Sequence, residues 1–253
     1  FKFYEELDEV IQREPSELFS PELLGMASSI GIEKGKPFNP SPEQKALLTE
    51  AVAIGNATAR SILFGPKDPK NYIYPGKAGY WQTGFPGGSH EYLVNKGNGG
   101  RDMDGRTLFF YLATVNTPAM ALEIPGVGSQ YAFSSRDGSG AYLNGSNTYK
   151  LNIPANPPAQ KFWSFVVYDP QTRSMLQTGE MPYPSKNNKR NADMVKNADG
   201  SIDLYFGPQA PAGMEANWVK TVPGKGWFGI FRLYGPGQEW FDRTWKLGNI
   251  EKI

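Results

Sequence analysis

Phe162-Trp163-Ser164-Phe165-Val166-Val167-Tyr168 and Gly226-Trp227-Phe228-Gly229-Ile230-Phe231-Arg232-Leu233-Tyr234 are the two stretches on which the fold turns. Each is a short, nearly continuous apolar run, rich in aromatic and β-branched residues. Length and composition together describe strands covered on both faces. Arg232 is the exception within the second run. A guanidinium that points inward from such a strand needs a partner.

From residue 119 onward, apolar runs alternate with turn signals in the manner of a sandwich. The expected strands lie near 119–124, 129–134, 148–153, 172–177, 193–197 and 201–206, beside the two runs above. Asp137-Gly138, Asn144-Gly145 and Asp199-Gly200 supply the positive φ angles of tight turns. The 29 glycines, 21 prolines and 13% aromatic content agree with a β-rich domain. Residues 238–245 read as a helical turn followed by a closing segment.

The first 64 residues read as helices. Phe3, Leu7, Val10 and Ile11 share one helical face. Ser20-Pro21-Glu22 is a helix start, and Gly31 stops that helix. Ser41-Pro42-Glu43-Gln44 is a second start, with Gln44 placed to close a capping box, and Gly65-Pro66 ends the segment. Residues 65–105 are glycine-rich loop, and 107–115, apolar all round, fit a buried strand or a short buried helix, of which the helix is preferred. The expected organisation is a helical lead-in over 1–70 and a β-sandwich over 71–253, mainly β with α.

Composition removes several chemistries. There is no cysteine, hence no disulfide, cysteine nucleophile or thiolate metal site. With one histidine, His90, a histidine-rich metal site cannot form within the chain. The charge of +1 carries no basic excess, and the cluster at Lys186, Lys189 and Arg190 sits among asparagines as a solvated loop, so nucleic acid is not an expected partner. No apolar run reaches 18 residues, so no membrane span is expected. The acidic first residues do not read as a signal peptide, and the absence of an initiator methionine points to a processed or truncated product.

Ordered motifs in the C-terminal half carry a resemblance. They are Leu143-Asn144-Gly145-Ser146-x-x-Tyr149, Phe162-Trp163-Ser164-x-x-x-Tyr168-Asp169, Asn197-x-Asp199-Gly200-Ser201-x-Asp203-Leu204-Tyr205, Asn217-Trp218-Val219, Pro223-x-x-Gly226 and Arg232-x-Tyr234-x-Pro236. The chain resembles an uncharacterised bacterial family with two domains of unknown function, numbered 1254 and 1214, and covers the second. The resemblance implies a jelly-roll-like antiparallel sandwich and an exported protein, periplasmic or secreted. It also implies a partner domain on the N-terminal side that this chain lacks. A ligand held between two such domains would find half of its site here.

Candidate site residues come from loops, where sites concentrate. Tyr80, Trp81 and Trp218 are aromatic faces at loop edges, able to stack on a flat ligand or, the commoner use, to pack in the core or at its rim. His90, beside Glu91 in a glycine loop, is the one imidazole available as a base. Arg101-Asp102 and Arg136-Asp137 pair a guanidinium with a carboxylate in sequence. The alternating oxygens of Asn197-x-Asp199-x-Ser201-x-Asp203 lack the twelfth-position glutamate of a calcium loop and are read as a turn, with no metal or cofactor expected. Three functions compete: a module binding a glycan or other polar ligand, a carboxylate-dependent hydrolase of glycan or cell-envelope material, and a structural or homo-oligomeric role.

Overall fold

The computed structural model describes residues 1–113 and 115–253, with the side chains of all of these but Lys96. The chain divides into two compact units, Phe1–Ser61 and Ile62–Ile253.

The first unit is helical. It holds α1 (Lys2–Arg13), α2 (Pro21–Ser29) and most of α3 (Pro42–Phe64). Tyr4, Ile11, Ala27, Ile32 and Leu48 form its core. Ser20 accepts a hydrogen bond from the Leu23 amide, and Ser41 one from the Gln44 amide, as the two start signals require. The capping box does not close, because the Gln44 side-chain amide turns to the Ile30 carbonyl at 2.9 Å. Gly31, at φ +90°, stops α2. Lys34 donates from Nζ to the Ile11, Gln12 and Glu14 carbonyls at the end of α1, where a cation complements the helix dipole.

The second unit is a pair of four-stranded sheets with short helices. Before the strands come α4 (Met103–Leu112) and α5 (Pro118–Ala121). The strands are β1 (Ser129–Ser134), β2 (Tyr149–Ile153), β3 (Ala159–Tyr168), β4 (Ser185–Asn187), β5 (Ile202–Gly207), β6 (Trp218–Lys220), β7 (Phe228–Pro236) and β8 (Ile250–Lys252). A single turn, α6 (Gln238–Phe241), precedes β8. The sheet orders are β1-β7-β3-β4 and β6-β5-β2-β8. Every strand pair is antiparallel except β5 with β6, which run parallel. That pair departs from the expected all-antiparallel arrangement.

Side chains from both sheets make one core. Trp163, Phe165 and Val167 of β3, with Phe231 and Leu233 of β7, meet Tyr149, Leu151 and Ile153 of β2 and Leu204 and Phe206 of β5. The Phe165 and Phe206 rings, one from each sheet, have centroids 4.8 Å apart. The outer face of the first sheet is also covered. Phe133, Phe228 and Ile230 pack there with Leu108 of α4 and with Leu63 and Phe64 at the end of α3. The central strands β3 and β7 are therefore flanked by protein on both sides, as their apolar runs require.

Three expected strands do not form. Residues 119–124 begin in α5 instead, 172–177 contribute only a bridge from Met175 to Tyr168, and 193–197 are irregular. In the last two, single apolar side chains, Leu176 and Met194, are buried from loops, which imitates a strand in sequence. The helix expected over 107–115 starts earlier, as α4, and Thr114 lies outside the described residues.

Candidate pocket beneath the α4 helix

Alternation along β7 decides which side chains reach the outer face. Phe231 and Leu233 go between the sheets, and Ile230 and Arg232 go outward. Tyr131 and Phe133 of β1 and Tyr168 of β3 join them on that face. Opposite stand Phe109 and Leu112 of α4, then Ala113, and Met120 of α5, with Thr83, Gly84 and Phe85 at one side and Gln130 and Arg173 at another. These walls enclose a pocket of about 240 Å³. Among the described residues, two arginines and no acidic residue line it.

Arg232 is half-buried, and its partners are neutral. Nη2 donates to the Tyr168 hydroxyl, and the rings of Tyr131 and Tyr168 lie 5.5 and 5.8 Å from Cζ. Nε is buried without an acceptor. Among the described residues no carboxylate forms an ion pair with it. Burial raises the pKa of the Tyr168 phenol, against the opposing pull of the Arg232 charge. The phenol stays protonated at neutral pH and leaves the guanidinium charge uncompensated.

Arg173 is placed by a tight turn. Asp169 Oδ1 accepts from the Gln171 amide at 2.7 Å, and the Asp169 carbonyl accepts from the Arg173 amide at 2.7 Å. Lys225 Nζ donates to Oδ2 at 2.8 Å. Burial pushes the Asp169 carboxyl up, but the Lys225 ammonium and the Gln171 amide together hold it below its ordinary value. Arg173 sits at φ +59°, a left-handed conformation that costs a non-glycine residue about 1–2 kcal/mol. Its guanidinium carbon lies 4.2 Å from the Tyr111 ring centroid.

The eight residues expected from loops lie elsewhere. Trp81 is fully buried, with Nε1 donating to the Gly248 carbonyl at 2.9 Å, so it offers a ligand no face and its reading as a loop platform is corrected. Asp137 is buried too, and Oδ1 accepts from the Ser139 and Ala141 amides as the brace of its own turn. Arg136 bonds the Gly140 carbonyl and the Tyr142 hydroxyl, stacks 3.9 Å from the Tyr142 ring, and lies 5.9 Å from the ring of Tyr80. Trp218 donates to the Gly207 carbonyl at 3.0 Å. Arg101 donates to the Glu91 carbonyl at 2.6 Å.

His90 and Asp102 do come together, in a separate polar hollow that they share with Lys70. There Asp102 caps α4 through the Gly105 amide at 3.0 Å, and its other oxygen faces Lys70 Nζ at 3.1 Å. The oxygens at 197–203 are taken up within the turn and by the neighbouring strand, with Asp199 accepting from the Ser201 amide and Asp203 from Asn152 Nδ2. Among the described residues no three histidines, aspartates or glutamates converge as metal ligands.

The family model described as a protein of unknown function, DUF1214, matches residues 128–238. Those residues are similar to that family. Two solved structures are similar over nearly the whole chain. One is the VPA0106 protein from Vibrio parahaemolyticus, with 20% identity and a TM-score of 0.46, over 99% of this chain and 55% of that one. The other is an uncharacterised protein from Burkholderia cenocepacia, with 17% identity and a TM-score of 0.39, over 92% of this chain and 48% of that one. The chain thus spans about half the length of each. No curated protein matches.

Most motif residues of the matched segment are architectural. The Tyr149 hydroxyl accepts from the Asn144 amide, and a β-carbon at Gly145 would come within 2.2 Å of the Val222 carbonyl oxygen. Asn217, almost fully buried, bonds both the amide and carbonyl of Val195 and the carbonyl of Asp203. Arg232 and Tyr168 differ, because they face the pocket. The segment that the family model matches supplies the pocket's strand side and Arg173, while Thr83, Phe85, Phe109, Leu112 and Met120 precede it in sequence.

Proposed function

We propose that the second unit is a binding domain for a small ligand seated between α4 and the outer face of the β1-β7-β3 sheet. The observation that carries this is the pocket itself. An aromatic and aliphatic enclosure with a few convergent polar groups is the ordinary form of a small-molecule site. Its volume of about 240 Å³ falls just below the roughly 300–1,000 Å³ of drug-sized sites. A ligand of one ring and a short chain suits it.

A glycan is less well served by these walls, since sugars need many polar partners and the pocket offers few. A hydrolase working through paired carboxylates finds no acid among the lining residues. Binding of a small, largely apolar molecule is the reading we favour. Uptake of neutral propylbenzene, read by calorimetry, tests it. The wild-type chain should bind the hydrocarbon, and Ala113→Trp, which fills the pocket, should abolish the heat. No uptake by a folded wild-type chain, or undiminished uptake by the variant, would count against the pocket as the binding site.

A further inference from the structure

The ligand's charge follows from what the pocket lacks. Arg232 and Arg173 both line it, no aspartate or glutamate does, and among the described residues neither arginine forms an ion pair. Leaving a half-buried cation without an anion is costly, and proteins normally pair such a group. Here the neighbours of Arg232 are tyrosines: the side chains of Tyr168 and Tyr234 by hydrogen bond and the rings of Tyr131 and Tyr168. Rings soften the cost through cation–π contact but supply no counter-charge. Beyond the guanidinium the walls are Phe109, Leu112, Phe133 and Ile230, which exclude water and strengthen any charge pairing made there.

We infer that the occupant is an organic monocarboxylate with an apolar body, its carboxylate paired with Arg232 and its body against α4. This rests on the pocket reading above and adds the ligand's charge. A guanidinium offers five donors in a planar fork suited to a carboxylate, and Tyr168 and Tyr234 take only part of it. A phosphate ester of similar length would add a second charge and more volume. The pocket's size and its aromatic walls favour the monoanion.

The test compares three probes of one shape on the full chain: 4-phenylbutyrate, 4-phenylbutan-1-ol and 4-phenylbutylammonium, by calorimetry and thermal shift. The acid should bind about ten-fold to a hundred-fold tighter than the alcohol, the range expected of a charge-assisted hydrogen bond. The ammonium should bind weakest. Arg232→Met should bring acid and alcohol to equal affinity while the alcohol still binds. If Arg232→Met does not fold, Arg173→Met provides the second measurement, with a smaller loss of preference, and the acid's affinity should fall with added salt. Equal binding of acid and alcohol by the wild-type chain would overturn the inference yet leave the pocket reading standing. Failure of all three probes, together with no propylbenzene binding, would remove both.

Discussion

The Phe165 ring of β3 lies directly against the Cα of Gly229 in β7, where a β-carbon would come within 2.1 Å of the ring's Cζ. The contact is diagonal, since Phe165 pairs in register with Phe231 and Gly229 with Val167. The absent side chain at 229 is what lets the ring fill the space between the sheets. Gly229→Ala is expected to destabilise the domain by about 1–3 kcal/mol through overpacking. Urea unfolding measures it, and a variant as stable as wild type would show that the ring can move aside without penalty.

Asp169 makes the fold acid-sensitive. Its carboxyl is held below the ordinary value in the folded state, so its contribution is complete above the unfolded pKa of about 3.9 and is lost as pH falls through the lower folded value. Asp169→Asn should cost about 1–3 kcal/mol at pH 7, and the difference from wild type should shrink toward pH 2. Melts across that range check it. A gap that stays constant with pH would mean the loss is steric rather than ionic.

Lys186 is a different case. It lies on the edge strand β4, opposite Phe165 in register, and is 8% exposed. Burial lowers its pKa, and Asp193 only partly opposes this. The folded state releases the proton first, so stability should rise as pH climbs from the folded value toward the unfolded one near 10.4. Lys186→Met should raise stability at pH 7 by about 1 kcal/mol and remove that rise. An inward charge on an edge strand also discourages strand-to-strand association, so the variant should aggregate sooner by light scattering. A variant that is less stable and no stickier would argue against both effects.

Trp81 separates core from site. Trp81→Ala should cost about 3–5 kcal/mol, because it empties a fully buried ring position and strips the Gly248 carbonyl of its donor. A loss below about 1 kcal/mol by denaturant titration would return Trp81 to the loop rim that its sequence neighbours suggest.

The long central strands were legible because burial on both faces leaves an unbroken apolar run, as in 162–168 and 226–234. The three-residue strands β4, β6 and β8 were not, because so short a segment carries no period. The helix starts at Ser20 and Ser41 were readable because a cap is local chemistry. The pocket was half visible. Arg232 stood out as a charge in a greasy strand, whereas Tyr168, Arg173 and the α4 residues join it only through tertiary folding. Aspartate, arginine and tryptophan in loops attracted functional readings by residue type. In Asp137, Arg136 and Trp81 those same groups satisfy nearby backbone atoms.

The strand pairing has a further consequence, in time rather than space. β1 joins β7 and β2 joins β8, each across roughly a hundred residues of intervening chain. Closing such long loops delays the contacts that reward it, and sheets built this way fold on the order of milliseconds to seconds. A ribosome delivering this chain holds β1 and β2 unpartnered on those edges until roughly a hundred further residues have emerged. During synthesis, therefore, the hazard is sticky, unfinished sheet, and whatever shields β1 and β2 in that interval guards the yield of the protein.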